Sequence, residues 1–287
     1  MPIYTDQTGR ILNCPARPKK IVSLVPSQTE FLYDIGLEEE VVGITKFCIH
    51  PNHWFHQKKR VGGTKNISAK IIGQLQPDLI IANKEENSKE QIEELERQYP
   101  VWVSDVKTLQ DALQMMGELG RITGREKETE DLAKQIKTSF ANISAELSRI
   151  GIPLSGNPAG MGEPSEDFLK AAYLIWRNPY LTAGGDTFIN DMMKHCRLSN
   201  IFESSPRYPE INMEQLKSLN NPGGRECELL LLSSEPFPFS DKHRLELQAV
   251  LPGMKIFLVD GEMFSWYGSR LLHAPAYFLK LLQEIRI

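Results

Sequence analysis

The stretch KIVSLVPSQTEFLYDIG occupies residues 20–36 and contains the structural unit on which the fold is built. It begins with a short β-branched run, continues through Ser27 and, three residues later, Glu30, and ends at Gly36 after an apolar stretch of helical period. This order predicts a strand, a helix that opens with a capping box, and a glycine at the end of the helix.

The same order of strand and helix recurs along the chain. Strands are predicted over 41–45, 78–82 and 101–105, and helices near 68–75 and 88–98. The run DLIIA at 78–82 is apolar enough to be buried on both faces. Alternation resumes after residue 168, with further strands predicted at 171–176, 228–233 and 255–260. Repeated alternation of this kind favours parallel sheets covered by helices on both sides.

Residues 108–150 carry no strand signal. They predict a helix to about Thr123, a break at Gly124, and a long helix from about Lys127 to Arg149 that spans roughly 35 Å at 1.5 Å per residue. The predicted fold class is therefore α/β, with two doubly wound lobes joined by a single long backbone helix. The predicted domains are an N-terminal α/β lobe (1–124), the backbone helix (125–150), a flexible loop rich in Gly, Pro and Ser (151–167) and a C-terminal α/β lobe (168–287).

Composition excludes several classes of protein. The 287 residues carry 33 Lys and Arg against 37 Asp and Glu, a net charge of -4, so we expect no nucleic-acid partner. No run approaches the ~18 consecutive apolar residues of a membrane helix, and we expect no membrane insertion. Four cysteines without a CxxC pair predict neither a zinc ribbon nor a disulfide scaffold. The first residues carry no export signal, so either the sequence is trimmed or the protein is cytoplasmic.

Catalytic motifs are missing from the sequence. It contains no GxSxG elbow, no HExxH, no phosphate-binding GxxxxGK[ST] loop and no GxGxxG after a strand. We therefore predict that the protein is not an enzyme and requires no cofactor. An enzyme hypothesis would need an acid–base pair, for which His50 and Glu86 are the plausible candidates.

Aromatic and arginine residues cluster in loops that follow predicted strands. Open α/β sheets bind ligands beyond the carboxyl ends of their strands, and such residues suit large, partly apolar, anionic ligands. The alternative is that each aromatic packs locally against its own strand. The three clusters are Trp176, Arg177 and Tyr180; Arg207 and Tyr208; and Trp266, Tyr267 and Arg270.

A metal site is a second possibility. His50, His53 and His56 follow Cys48 at a spacing that could present imidazoles on one face of a helical turn, although a polar loop rim is the favoured interpretation. Glu85 and Glu86 follow the buried strand and belong by default to a solvated loop. If His50 and Glu86 converge, they would offer ligands to a metal ion.

Seven stretches in the same order carry a family resemblance. The chain resembles the helical-backbone periplasmic binding proteins, the solute receptors of ABC importers for cobalamin, ferric siderophores, haem and metals. The resemblance is closest to the cobalamin-receptor-like branch and covers nearly the whole chain. The stretches are KIVSLVPSQTE (20–30), VVGITKFCIHP (41–51), RVGG (60–63), QPDLIIANKEEN (76–87), IWRNPYLTAGGDTF (175–188), RYPEI (207–211) and VDGEMFSWYGSR (259–270).

The resemblance implies a receptor in the periplasm or cell envelope that holds a corrinoid, ferric siderophore, haem or metal ion between its lobes. It would deliver this small-molecule ligand to an ABC permease of the cobalamin or siderophore type. Phe47 or His50, together with Tyr208, would face a corrin, and the loop with Trp266, Tyr267 and Arg270 would form a second wall.

Docking to the permease in this family uses one surface glutamate in each lobe. Glu214, in INMEQL, matches the second of these, while the first falls on Lys70. The alternative hypothesis is an intracellular metal- or cofactor-binding protein without a transporter partner, which Lys70 and the missing export signal would fit.

Overall fold

The computed structural model describes residues 1–149, 168–218 and 227–286, which form two compact units. The first unit comprises Met1–Val106, Gln110–Ile136 and Tyr267–Arg270, and the rest of the described chain belongs to the second. The predicted domains 1–124, 125–150 and 168–287 follow chain order, whereas each unit gathers separate segments. The predicted loop 151–167 lies outside the described residues.

A five-stranded, fully parallel sheet forms the centre of the first unit. From β3 the chain winds outward through β4 to β5, then returns to β6 on the other side of β3 and continues to β7. This doubly wound order places a topological switch point between β3 and β6. The strands of this unit are the hairpin β1 (Ile3–Thr5) and β2 (Ile11–Asn13), then β3 (Ile21–Ser23), β4 (Val41–Ile44), β5 (Lys59–Arg60), β6 (Leu79–Asn83) and β7 (Val101–Ser104).

The first helix shows how local sequence sets the fold and where the capping-box prediction was wrong. Val25 is the N-cap of helix α1 (Pro26–Asp34) and provides no side-chain cap, so Ser27 lies inside the first turn. Pro26 explains the shift, because proline has no N–H and its fixed φ favours the first helical position. The predicted stop at Gly36 is confirmed, with φ +79° and the N–H of Leu37 bonded to the carbonyl of Leu32.

Helices pack around the parallel sheet and bury its central strands. All five residues of β6 are buried, as predicted for the run DLIIA. One apolar cluster joins alternate residues of β3, β6 and β7 to residues of the following helices. The helices after α1 are α2 (Asn52–Gln57), α3 (Ala69–Leu75), α4 (Lys89–Glu96) and α5 (Leu109–Thr123), of which α3 and α4 contribute residues to this cluster.

The predicted long helix is confirmed. Helix α6 (Glu126–Arg149) has 24 residues and a length of about 36 Å. It follows Gly124, whose φ of +71° ends α5. Its residues up to Ile136 belong to the first unit and those from Lys137 to the second, so the helix runs from one unit into the other.

The second unit contains a six-stranded mixed sheet. Its central strand β8 pairs in parallel with β12 and β10 and antiparallel with β9, and β13 extends the parallel part beyond β12. The strands are β8 (Leu169–Trp176), β9 (Tyr180–Thr182), β10 (Leu198–Asn200), β11 (Glu210–Ile211), β12 (Leu229–Ser233) and β13 (Lys255–Val259). The sequence alternation predicted parallel sheets. The pairs β8–β9 and β9–β11 are antiparallel and differ from that prediction.

The helices of the second unit are short except for the last. The last helix begins at Ala274, after a 3-10 turn at Ser269–Leu272. No helix in the described ranges is both long enough and apolar enough to cross a membrane. The helices are α7 (Phe188–His195), α8 (Met213–Ser218), α9 (Asp241–Val250), α10 (Glu262–Ser265) and α11 (Ala274–Arg286).

Candidate functional site

Small polar residues end the apolar strands of the first unit. Ser23, Asn83 and Ser104 are the last residues of β3, β6 and β7, Thr45 directly follows β4, and all four are buried. Because the strands are parallel, these residues lie at one edge of the sheet, where open α/β sheets bind ligands at the switch point. The candidate site of this unit is therefore this carboxyl edge.

Two asparagines fix the acidic loop that follows β6. The Oδ1 atom of Asn83 accepts the backbone N–H groups of Glu85 at 2.8 Å and Glu86 at 3.0 Å. Asn87 in turn accepts the N–H of Asn83 at 2.8 Å and donates to the carbonyl of Thr64 at 3.0 Å. The predicted solvated loop is thus an ordered turn in which Glu85 and Glu86 are half-buried.

Glu86 has a tyrosine partner. The hydroxyl of Tyr267 donates to Oε1 of Glu86 at 3.3 Å, and only 5% of Tyr267 is exposed. Burial raises the pKa of Tyr267 well above its ordinary value, and the negative charges of Glu86 and Glu85 raise it further. The phenol therefore stays protonated and remains a hydrogen-bond donor.

Arg270 forms a bidentate ion pair. Its Nε lies 2.8 Å from Oε2 of Glu30, and its Nη2 lies 2.5 Å from Oε1 of the same carboxylate. The side chains are 13% and 17% exposed. Glu30, which the sequence predicted as part of a helix cap, therefore neutralises an arginine predicted to bind ligand.

Phe47 and His50 lie in the loop after β4. Phe47 is 50% exposed, and the Nζ of Lys46 lies 5.0 Å from the centre of its ring. A Cβ atom at Gly63 would lie 3.2 Å from the ring, so the glycine lets the phenylalanine pack closely. His50 is half-exposed. This loop presents an aromatic ring to solvent at the carboxyl edge.

Across the described ranges, no three His, Cys, Asp or Glu side chains come together in a group that could hold a metal ion. His53 faces Glu38 at 3.6 Å and stacks edge-on against Tyr33. Burial raises the pKa of the Cys48 thiol to about 11. A site with His50 and Glu86 stays a prediction.

In the second unit, an aromatic cluster lies where β8 and β12 end. Trp176, the last residue of β8, is 39% exposed and meets the ring of Phe237 at 5.9 Å. Phe237 also contacts the rings of Phe239 and His243 at 4.8 and 5.2 Å. Sequence reasoning missed Phe237, although the run SEPFPF follows a predicted strand just as the chosen clusters do.

The side chains that follow Trp176 in the sequence have partners within the second unit. The Nη2 of Arg177 lies 2.6 Å from the carboxylate of Glu246 in α9. Tyr180 lies in β9 and packs against the core of the second unit. Local packing, the alternative to ligand binding, therefore describes Tyr180, and the charge of Arg177 is balanced by a glutamate.

Arg207 and Tyr208 belong to a loop that lies against the glycine pair of AGGDTF. The N–H of Gly184 bonds to the carbonyl of Arg207 at 2.8 Å, and a Cβ at Gly184 would come within 2.2 Å of the Ser205 carbonyl. These glycines therefore serve close backbone approach. Arg207 is exposed and Tyr208 is half-buried.

Trp266 is a buried side chain, only 7% exposed. Its Nε1 donates to Oε1 of Glu235 at 2.8 Å, and the Oγ of Ser265 donates to the same oxygen. The pKa of Glu235 is raised above its ordinary value, mainly because the carboxyl group is buried. The ring of Trp266, expected to form part of a wall of the ligand site, is thus almost fully enclosed.

The two predicted docking residues are both exposed. Glu214 lies in the first turn of α8, and Lys70 is the second residue of α3. They belong to different units.

A family model described as "Periplasmic binding protein" matches residues 21–223. An uncharacterised ABC transporter substrate-binding lipoprotein of Bacillus subtilis is 26% identical over 221 residues, which cover 75% of this chain but less than two thirds, 65%, of the lipoprotein's own length. A vitamin B12-binding protein of Pectobacterium carotovorum is 24% identical over 262 residues, covering 90% of this chain and 86% of that protein.

The fold is also found among solved structures. The crystal structure of a periplasmic vitamin B12 binding protein of Vibrio cholerae has a TM-score of 0.73 at 19% identity, covering 95% of this chain and 99% of that one. This likeness concerns the fold alone. Because the family model spans more than half of the sequence, the chain belongs to the periplasmic binding protein family, whose members are substrate-binding receptors rather than enzymes.

Proposed function

We propose that the protein is the solute receptor of an ABC importer and that its ligand is a corrinoid, which it delivers to a permease of the cobalamin type. Family membership supports the coarser role of substrate binding. The vitamin B12-binding relatives support the choice of ligand class. The observation that carries the proposal is the distribution of charge at the carboxyl edges of the two sheets.

The candidate ligands differ in charge. Ferric siderophores are usually anionic and haem carries two propionates, so both attract unpaired guanidinium groups. Cobalamin is bulky, carries amide side chains and has no net charge. Arg177 is paired with Glu246, and Arg270 is paired with Glu30. These neutral pairs favour the uncharged ligand.

Exposed aromatic rings support the same choice. Among the phenylalanine and tryptophan side chains of the described residues, the two that remain exposed are Phe47 and Trp176. One follows a strand of the first unit and the other ends a strand of the second. Broad apolar surfaces at strand ends suit a large ring system with amide substituents.

Isothermal titration of the full chain with cyanocobalamin, haem and a ferric hydroxamate tests the proposal. We expect saturable binding of cyanocobalamin and at least tenfold weaker binding of the other two. Tighter binding of haem or the ferric chelate, or no binding of cyanocobalamin, would overturn the choice of ligand.

A variant pair locates the contact. Trp176→Ala should weaken cyanocobalamin binding by about 5- to 150-fold, the effect of losing about 1–3 kcal/mol of aromatic contact. Ile11→Ala truncates an apolar side chain that is 73% exposed in the β1–β2 hairpin and should leave the affinity unchanged. Equal affinities for wild type and Trp176→Ala would remove Trp176 from the contact surface.

We further propose that Glu214 docks the receptor on its permease and that Lys70 gives the other contact a different charge from the family pattern. Glu214→Ala should lower cobalamin uptake by the reconstituted importer while the affinity for cyanocobalamin stays the same.

The alternative hypothesis, an intracellular metal- or cofactor-binding protein, predicts that the native product is found inside the cell and not in the cell envelope. Recovery of the native product in the cell envelope would exclude it.

A further inference from the structure

The segment Tyr267–Arg270, here called the strap segment, belongs to the first unit, whereas the residues on both sides of it belong to the second. Its carboxylate partner Glu30 lies 240 positions earlier in the sequence. The contacts that the segment makes in the first unit are therefore its own, because its flanking residues belong to the second unit.

Two side chains anchor the strap segment, one at each end. Tyr267 donates its hydroxyl to Glu86, in the loop after β6. Arg270 places its guanidinium on Glu30, in α1, through two charge-assisted hydrogen bonds. Both contacts lie within the first unit. Charge-assisted, bidentate pairs are among the stronger side-chain contacts in proteins.

Between the anchors, the backbone itself touches α1. Gly268 has φ +115°, a conformation that favours glycine, and a Cβ there would lie 3.0 Å from Cβ of Phe31 and 3.3 Å from the carbonyl of Ser27. The segment thus approaches the helix more closely than a residue with a side chain would allow. Three successive contacts, by a hydroxyl, a glycine backbone and a guanidinium, define its seat.

We propose that Glu30 and Glu86 are positioning residues that seat the strap segment on the first unit, and that Tyr267 and Arg270 serve this seat rather than contact the ligand. Glu86 then has a structural task in place of the predicted metal ligation. Phe47 and Trp176 stay as candidate ligand contacts, while Tyr267 and Arg270 affect ligand binding only by positioning the segment.

Tryptic cleavage after Arg270 tests the seat without any ligand. Native-state cleavage follows the population of the open segment. Loss of a charge-assisted pair should raise that population, so Glu30→Gln should be cleaved there between about tenfold and a hundredfold faster than wild type. Glu30→Asp keeps the charge and should be cleaved at an intermediate rate. Tyr267→Phe removes the other anchor and should also be cleaved faster.

Glu40→Gln is the matched control. Glu40 is 16% exposed in the same unit and pairs with Lys19, far from the strap segment in sequence. This variant should leave cleavage after Arg270 at the wild-type rate. If Glu30→Gln is cleaved there no faster than wild type, or if all tryptic sites accelerate together as in global unfolding, the proposed seat is wrong.

A second experiment, which rests on the proposed function, separates positioning from contact. Cyanocobalamin is titrated into Glu30→Gln, Arg270→Gln and the double variant. A positioning pair gives similar losses of affinity for both single variants and no further loss for the double variant. A loss that occurs in Arg270→Gln but not in Glu30→Gln would make Arg270 a ligand contact and overturn that part of the inference. If wild type does not bind cyanocobalamin, the proposed ligand is wrong, while the cleavage rates still decide the seat.

Discussion

Replacement of Asn87 by alanine tests how the loops at the switch point are held together. This side chain is 4% exposed and connects three segments. Its Oδ1 accepts the N–H of Asn83 at 2.8 Å, and its Nδ2 donates to the carbonyl of Thr64 at 3.0 Å and faces that of Leu24 at 3.4 Å. Alanine removes all of these contacts and leaves the peptide groups without a side-chain partner.

The cost follows from the kind of bond that is lost. A buried N–H group left without an acceptor costs about 1–3 kcal/mol, and each lost neutral hydrogen bond about 0.5–1.5 kcal/mol. The sum for Asn87→Ala is about 3 kcal/mol in the free energy of unfolding. At 2–4 °C per kcal/mol for a chain of this size class, the melting temperature should fall by roughly 6–12 °C.

Thermal unfolding and guanidinium denaturation measure this effect, followed by fluorescence, to which the fully buried Trp54 and Trp102 of the first unit contribute. The control is Asn52→Ala, at the exposed first position of α2, which should change the free energy of unfolding by less than about 0.5 kcal/mol. If Asn87→Ala costs as little as the control, the three loops are held by other contacts and the hydrogen-bond argument fails.

Three further predictions address packing, pH and thiol chemistry. Gly120→Ala would place a Cβ 2.5 Å from Oγ1 of Thr129 and should lower the free energy of unfolding by about 1–3 kcal/mol. In the same helix, a Cβ at Gly117 would meet nothing within 4 Å, so Gly117→Ala should raise the free energy of unfolding by about 0.5–1 kcal/mol. Denaturant titration measures both changes. Since the folded pKa of Glu235 lies above its ordinary 4.5, the native state holds more protons, and stability should fall as the pH rises from 4.5 through the raised pKa. Glu235→Gln should remove that pH dependence, and an unchanged slope would contradict the assignment. Burial raises the pKa of Cys48 to about 11, so a thiol reagent at pH 8 should label its peptide only after unfolding, as mass spectrometry can measure.

Long or continuous sequence signals predicted the fold well. The apolar run DLIIA at 78–82 is long enough to mark a buried strand, and the stretch after Gly124 is long enough to mark a helix. The β1–β2 hairpin was missed because three-residue strands are too short to show alternation. Its turn did leave a signal in the turn residues Asp6 and Gly9. Asp6 accepts the N–H groups of Thr8 and Arg10, and Gly9 has a positive φ.

The candidate site was less predictable, because its contacts join distant parts of the chain. Sequence reasoning chose residues by their place after strands, which is a local property. It selected Trp266, whose ring is enclosed, and passed over Phe237, whose ring backs the exposed Trp176. Neither outcome can be read from one sequence, because burial depends on which segments pack against each residue.

Charge at the site shows the same limitation and also has a consequence for ligand choice. Arg177 and Arg270 looked like cations available to an anionic ligand, because their partners Glu246 and Glu30 are remote in sequence. To reach the guanidinium of Arg270, an anionic chelate would have to displace Glu30, which is 17% exposed, and leave that carboxylate without its counter-charge, which is unfavourable. Glu246 is 41% exposed, so its displacement from Arg177 would cost little. A neutral corrinoid makes no such demand and leaves both pairs intact. The pair of Arg270 and Glu30, whose members lie 240 positions apart in the sequence, is therefore the ion pair that favours a neutral ligand over an anionic one.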